Sequence, residues 1–280
     1  MGGVVHSGLF QTIVRQWQRV SVLQVVTLLL SLSLYCASHK AYAEPASDVL
    51  TFCADQNFWY PFTFVEDDEV TGIHVDIIRH ALTRLDYELE VQPLPWLRCL
   101  RESELGNVDG IITASWSEDR EDFLRFPEDA SVSESSSLAV SHVRYVVVVL
   151  ADSDYEYQGE LQTLPQPVRV PRGYSIARDI RQQGLDVDDE APADDNNLMK
   201  LLRDRKGSVI ATPDVLDTLL SRHEFNGRFR VSEMPVTSKD YFLPFSRNGR
   251  ISREQAREIW QEISRIRNNP EIMRRIQVSY

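Results

Sequence analysis

From Val49 onward, short apolar runs and amphipathic helical patterns take turns, and that alternation leaves few folds open. VLTFCA (49–54) reads as a strand, and VDIIRHALTRL (75–85) as a helix with Ile77, Ile78, Ala81, Leu82 and Leu85 on one face. YELEVQPL (87–94) is a second strand, and PWLRCLRESEL (95–105) a helix with Pro95 at its start. VDGIITA (108–114) follows as a third strand. A β-α-β-α-β order at this spacing requires a parallel sheet with right-handed crossovers.

A second unit follows a polar stretch. After Phe126-Pro127 and EDASVSESSS, the run LAVSHVRYVVVVL (138–150) is long and apolar enough to carry the chain into another α/β unit. That unit comprises VRV (168–170), a helix from Ser175, a helix around Asn197–Asp204, SVIA (208–211) and the helix PDVLDTLLSRH (213–223). VSEMPVTSKDYFLPFSR (231–247) is extended again and reads as a return crossing. The chain closes on a helix opened by the capping box Ser252-Arg-Glu-Gln255. Its Ile259, Ile263 and Ile266 recur at helical spacing, and the adjacent Trp260 reads as core. The expected organisation is a leader over 1–43, one unit of 44–134 with 241–280, and a second of 135–240.

The leader is read from three features. Arg15 and Arg19 precede an uncharged run from Val20 to Ser38, and Ala41-Tyr42-Ala43 ends it with a small-x-small signature. That is the plan of a cleaved export signal; an uncleaved membrane anchor is the alternative. Without Arg15, Arg19 and Lys40 the chain keeps 27 basic and 42 acidic residues, a net charge of −15. Such a chain repels nucleic acid and anionic membrane surfaces. Two cysteines, Cys53 and Cys99, remain after the leader. In an oxidising compartment they form one disulfide or stay as two buried thiols.

The stretch VRVPRGYSIARDI (168–180) raises a choice. Its GYSIA approaches the nucleophile elbow of hydrolases, which would make Ser175 a nucleophile. The elbow also needs an acid and a histidine later in the chain, plus an earlier oxyanion loop. Only His223 follows, at the end of a helix, and no such loop precedes. The simpler reading is a helix N-terminus whose backbone N–H groups and dipole attract an anion. The acidic run DVDDEAPADDNN (186–197) lacks the glycine and terminal glutamate of a calcium loop and reads as solvated.

An ordered series of residues then points to a family. It comprises a strand ending at Asp55, Tyr60-Pro61-Phe62-x-Phe64, and Gly72-x-x-x-Asp76. Trp96, Gly106-x-Val108-Asp109-Gly110, Ser115-x-x-x-x-Arg120 and Phe126-Pro127 follow. With VRVPRGYS, SVIATPDV and the late aromatic strand, this series resembles the bacterial extracellular solute-binding proteins of family three. The resemblance implies a mixed α/β, two-lobed type II periplasmic-binding fold. Each lobe is a mostly parallel sheet flanked by helices, and two crossover strands join the lobes.

The resemblance also implies a monomeric periplasmic protein that closes on a small anionic, amino-acid-like solute and hands it to the membrane permease of an ABC importer. No cofactor and no metal are expected. By the resemblance, Arg120 pairs with a solute carboxylate, and Ser115 hydrogen-bonds the same group. Trp96 walls the cleft, and Trp59 stands one residue off another aromatic position. Gly173, Tyr174 and Ser175 form the turn whose N–H groups complete the anion site. Asp55 lies at the cleft end of the first strand. One position departs: where amino-acid receptors of this kind carry an acid for the ammonium group, this chain has Ala211. The expectation drawn from it is a solute whose body beyond the carboxylate is neutral, aromatic or differently placed in charge. Two other roles are compatible with the same residues. One is a dehydratase-like enzyme using Asp55 and Asp214, and the other a stand-alone sensory protein.

Overall fold

The structure is a computed structural model that describes residues 48–132 and 135–280; the leader expected over 1–43 lies outside the described residues. β1 (Asp48–Asp55) opens the fold, followed by the short ladder of β2 (Phe64–Glu66) and β3 (Glu69–Thr71). Next come α1 (Ile73–Thr83), β4 (Tyr87–Leu94) and α2 (Trp96–Leu105). β5 (Gly110–Ile111), β6 (Ala114–Ser115), α3 (Glu118–Glu121) and β7 (Leu124–Arg125) complete the first stretch. β8 (Ser141–Leu150) leads to β9 (Val168–Arg169), α4 (Ser175–Gln182), β10 (Val187–Asp188) and α5 (Asp194–Asp204). β11 (Ser208–Ala211), α6 (Pro213–Leu220), β12 (Phe229–Val231), β13 (Thr237–Phe242) and β14 (Phe245–Ser246) follow, then α7 (Arg253–Arg267) and α8 (Pro270–Val278).

Two sheets organise these elements. The first has the order β4-β1-β5-β14-β7, with β1 parallel to β4 and β5. Leu50, Phe52, Cys53 and Ala54 of β1 are all buried, as in a parallel strand covered on both faces. One face packs on α1 and α7 through Ile78, Leu82, Ile259 and Ile263. Full burial of each such side chain contributes about 1.5–3 kcal/mol. Trp260 is core, as expected, and donates its indole N–H to the Leu243 carbonyl at 2.7 Å. The capping box at Ser252 and Gln255 forms in both directions. The other face carries Cys53, which is disulfide-bonded to Cys99 of α2.

The second sheet has the order β10-β9-β11-β8-β13-β6, with β12 also paired to β8. β8 runs through its centre with strict two-residue periodicity. Tyr145, Val147 and Val149 enter one core, and Val146, Val148 and Leu150 enter the other. The two sheets are linked along β8 and β13, which pair antiparallel from Ser141 to Tyr145.

The stretch 108–114, expected to be one strand, divides. β5 stays in the first sheet, whereas β6 joins β13 through the Ser115–Tyr241 pair. The break at residues 112–113 is a change of partner, and at Gly110 within β5 a Cβ would lie 2.2 Å from the Pro244 carbonyl oxygen. Only glycine lets β14 approach that closely. The helix expected at Asn197–Asp204 starts earlier, at Asp194, and α8 was not expected.

Candidate functional site

The ends of β1 and β6, the start of α3 and the turn before α4 converge on one cavity. Asp55, Trp59, Trp96, Ser115, Arg120, Tyr174 and Ser175 line it together with Tyr241. Seven of the residues singled out from the sequence therefore meet, and Gly173 sits at their edge. The centre of a water-sized sphere can move over ≈ 40 Å³ there, room for a few waters.

Arg120 is the electrostatic centre of the cavity. It is 3% exposed. Its Nη1 donates to the Ser115 carbonyl at 2.8 Å and to Ser115 Oγ at 3.2 Å, and its Nη2 donates to the Gly173 carbonyl at 3.0 Å. The guanidinium lies 5.0 Å from the centre of the Trp96 ring, within cation–π range. Among the described residues no carboxylate forms an ion pair with it: the neighbouring Asp119 pairs with Arg178 at 2.7 Å instead. Burial pushes the Arg120 pKa down, yet a guanidinium stays charged throughout the working pH range. The cavity thus contains a buried positive charge satisfied only by neutral oxygens, which is costly unless an anion completes it.

The turn at Gly173 meets this cation differently from the expectation. Gly173 presents its carbonyl, which accepts from Arg120 and from Trp96 Nε1 at 2.9 Å. The Tyr174 N–H is used inside the turn, donating to the Pro171 carbonyl. Gly173 has φ 73°, and a Cβ on it would stand 2.5 Å from Leu97 Cδ2. A left-handed turn seated this tightly on α2 needs glycine.

Ser175 sits between two partners. Its Oγ lies 2.7 Å from Ser115 Oγ and accepts from Lys239 Nζ at 3.0 Å. A serine beside a lysine can be a nucleophile when the lysine is neutral. Lys239, however, is ion-paired with Asp179. Burial pushes its pKa down while Asp179 pulls it back up. As a paired ammonium it donates to Ser175 and cannot take its proton. His223, the residue required by the hydrolase reading, is exposed on the surface.

Further bonds close the cavity. Trp59 Nε1 donates to Thr212 Oγ1 at 3.1 Å, and its ring lies 4.7 Å from that of Tyr241. The Tyr174 hydroxyl donates to Asp55 Oδ2 at 3.1 Å. Tyr145 and Tyr241 share a hydroxyl–hydroxyl bond behind the cavity. His74, fully buried beside Trp59 and Phe62, is held neutral, with its pKa pushed down to about 3 by desolvation.

The acidic run 186–197 is not the solvated loop expected. Asp188 pairs with Lys200 at 2.5 Å and with the buried Arg169 at 3.5 Å. Asn197 is fully buried, and Asp194 Oδ1 is buried without a hydrogen-bond partner. Burial, then the charges of Asp195 and Asp55, push the Asp194 pKa up to about 7. Asp214, the alternative acid, is exposed. Sequence reasoning missed Asp194, Lys239 and Tyr241. The helix beginning at Asp194 and the alternation of β13 were their only signals. Among the described residues no cluster of three or more His, Cys, Asp or Glu is placed to hold a metal.

Residues 50–211 match the family described as bacterial extracellular solute-binding proteins, family 3. No curated protein matches at the sequence level. Among solved structures, a histidine kinase sensor domain with similarity to periplasmic binding proteins superposes with a TM-score of 0.68 at 14% identity, covering 84% of this chain and 96% of that one. Holo ArgBP from T. maritima gives 0.62 at 17% identity over 83% and 96% of the two chains. The amino acid ABC transporter substrate-binding protein AbpA from Streptococcus pneumoniae, bound to L-arginine, gives 0.61 at 16% identity over 82% and 93%. These likenesses establish the two-lobed binding-protein fold.

Proposed function

The chain belongs to the bacterial extracellular solute-binding proteins of family 3, and we propose that it captures a small carboxylate-bearing, amino-acid-like solute in the cleft around Arg120. One observation carries this reading: a guanidinium 3% exposed, 5.0 Å from the centre of the Trp96 ring, with no carboxylate partner among the described residues. A planar carboxylate accepts two parallel N–H bonds from such a fork. It would displace the weaker bonds to Ser115 and Gly173 and engage the hydroxyls of Ser115 and Ser175. It would replace bonds that already bridge the two expected units, since Arg120 of 44–134 donates to Gly173 of 135–240 and Ser115 meets Ser175. Entry of a solute larger than the present cavity requires these units to part and close again.

Delivery to the permease of an ABC importer, from the periplasm and after removal of residues 1–43, is the biological setting that fits the family. The protein acts as a monomer and a binder without turnover. Thermal-shift measurements with a panel of small carboxylates, matched neutral amides and amines test the capture step. Carboxylates raise the melting point on this reading. A panel in which only carboxylate-free compounds do so contradicts it.

A further inference from the structure

Ser175 opens α4, and three residues on one face of that helix are tied to other elements. Ser175 Oγ lies 2.7 Å from Ser115 Oγ of β6. One turn on, Arg178 Nη1 meets Asp119 Oδ1 of α3 at 2.7 Å, and Asp179 pairs with Lys239 of β13. Spacings of three and four residues put all three on the same stripe. Lys239 is also the donor to Ser175 Oγ, at 3.0 Å.

These bonds join two cations through two hydroxyls. Arg120 Nη1 donates to Ser115 Oγ at 3.2 Å, Ser115 meets Ser175, and Ser175 accepts from Lys239. Because a cation holds each end as an acceptor, the bond between the hydroxyls uses one O–H and leaves the other for a further acceptor. Both serines line the cavity around Arg120. Lys239 lines a second cavity, of ≈ 460 Å³, which shares Ser115 with the first.

The Lys239 side chain is 13% exposed, and that of its partner Asp179 is 43% exposed. Water and salt screen the outer carboxylate more than the inner ammonium, so the pair presents net positive potential toward the serines. A carboxylate oxygen bonded to the Ser175 hydroxyl would stand at most about 6 Å from Nζ. Resting on the reading of Arg120 above, we propose that Lys239 is a positioning residue of the same site: it holds the Ser175 hydroxyl from behind and adds a second positive charge to that of Arg120. The solute is then chosen for its negative charge by two cations, one that touches it and one that acts through Ser175. The rival role is a mere clamp on α4 through Asp179. The Arg178–Asp119 pair secures the same helix without Lys239, so the two roles can be separated.

Acetate and acetamide have nearly the same shape, differ in charge, and are small enough for a cavity that holds a few waters. Tryptophan fluorescence of the protein, titrated with each at an ionic strength held constant by sodium chloride, tests the proposal. Wild type is expected to prefer acetate at least about tenfold. In Lys239→Met that preference should fall about tenfold, and Lys239→Gln gives the same readout should the methionine variant fail to fold. Lys239→Arg, which keeps the charge, should restore most of it. Asp179→Asn breaks the same ion pair but leaves the ammonium unmasked, so it should bind acetate more tightly than wild type. A wild-type preference in both uncharged variants, or an equal loss of acetate binding in Lys239→Met and Asp179→Asn, overturns the proposal; the second outcome makes Lys239 a clamp. Arg120→Met tests the underlying reading separately. If it prefers acetate as wild type does, the carboxylate reading fails, whatever Lys239→Met shows. If wild type itself does not prefer acetate, both fail.

Discussion

Arg120 and Gly173 are joined at 3.0 Å by a guanidinium-to-carbonyl bond that Trp96 reinforces from α2. The contact exists because residue 173 has no side chain: a Cβ there would lie 3.1 Å from Trp96 Cδ1 and closer still to Leu97. Gly173→Ala is expected to cost about 1–2 kcal/mol from the positive φ alone. It should also weaken solute binding by pushing the turn off Arg120. Urea denaturation and titration of the same variant check both effects; wild-type values for both contradict the account.

The Cys53–Cys99 bridge closes a sequence separation of 46 residues and pins α2, which carries Trp96, to β1. Loop entropy gives it about 4 kcal/mol. Reduction should lower the urea midpoint accordingly and weaken binding, because Trp96 loses its fixed seat. Two free thiols titrating in unfolded, non-reduced protein would contradict the bridge.

Asp194 makes the ligand-free protein less stable as pH rises. Its folded pKa of about 7 lies above the ordinary aspartate value of 3.8. Between those values the unfolded chain releases the proton and the native state keeps it. Stability is therefore fully present below the unfolded value and declines until pH passes the folded one, by a few kcal/mol at most. Buried His74 works in the opposite direction, its folded pKa of about 3 costing stability as pH falls below its ordinary value of 6.5. The difference between wild type and Asp194→Asn isolates the aspartate. The variant should gain on wild type from pH 4.5 to pH 7.5 by urea denaturation, and a constant difference contradicts the assignment.

Much of this was legible in the sequence because periodicity reports burial. YELEVQPL and SVIA are strands over the expected residues, and Ile259, Ile263 and Ile266 form the buried stripe. Arg120, Ser115 and Trp96 were legible through the spacing of an ordered motif series. Asp194 was not, because an acidic run reads as solvent-facing unless the helix start that buries one member is known. The division at residues 108–114 was hidden as well, since β6 takes its partner, β13, from far along the chain. Lys239 and Tyr241 look like ordinary residues of an extended segment, and only the register of β13 with β6 and β8 brings them to the cleft.

The central claim is that a buried guanidinium at residue 120 waits for a solute carboxylate, and the calorimetric melting of Arg120→Met measures it most directly. Methionine fills similar volume without charge, so the ligand-free variant should melt at or above the wild-type temperature, as apolar replacements of costly buried charges do. Wild type at about 100 times the dissociation constant of its solute should gain about 2.7 kcal/mol. The variant should gain nothing at the same concentration. Equal ligand-induced stabilisation of Arg120→Met and wild type would contradict the account.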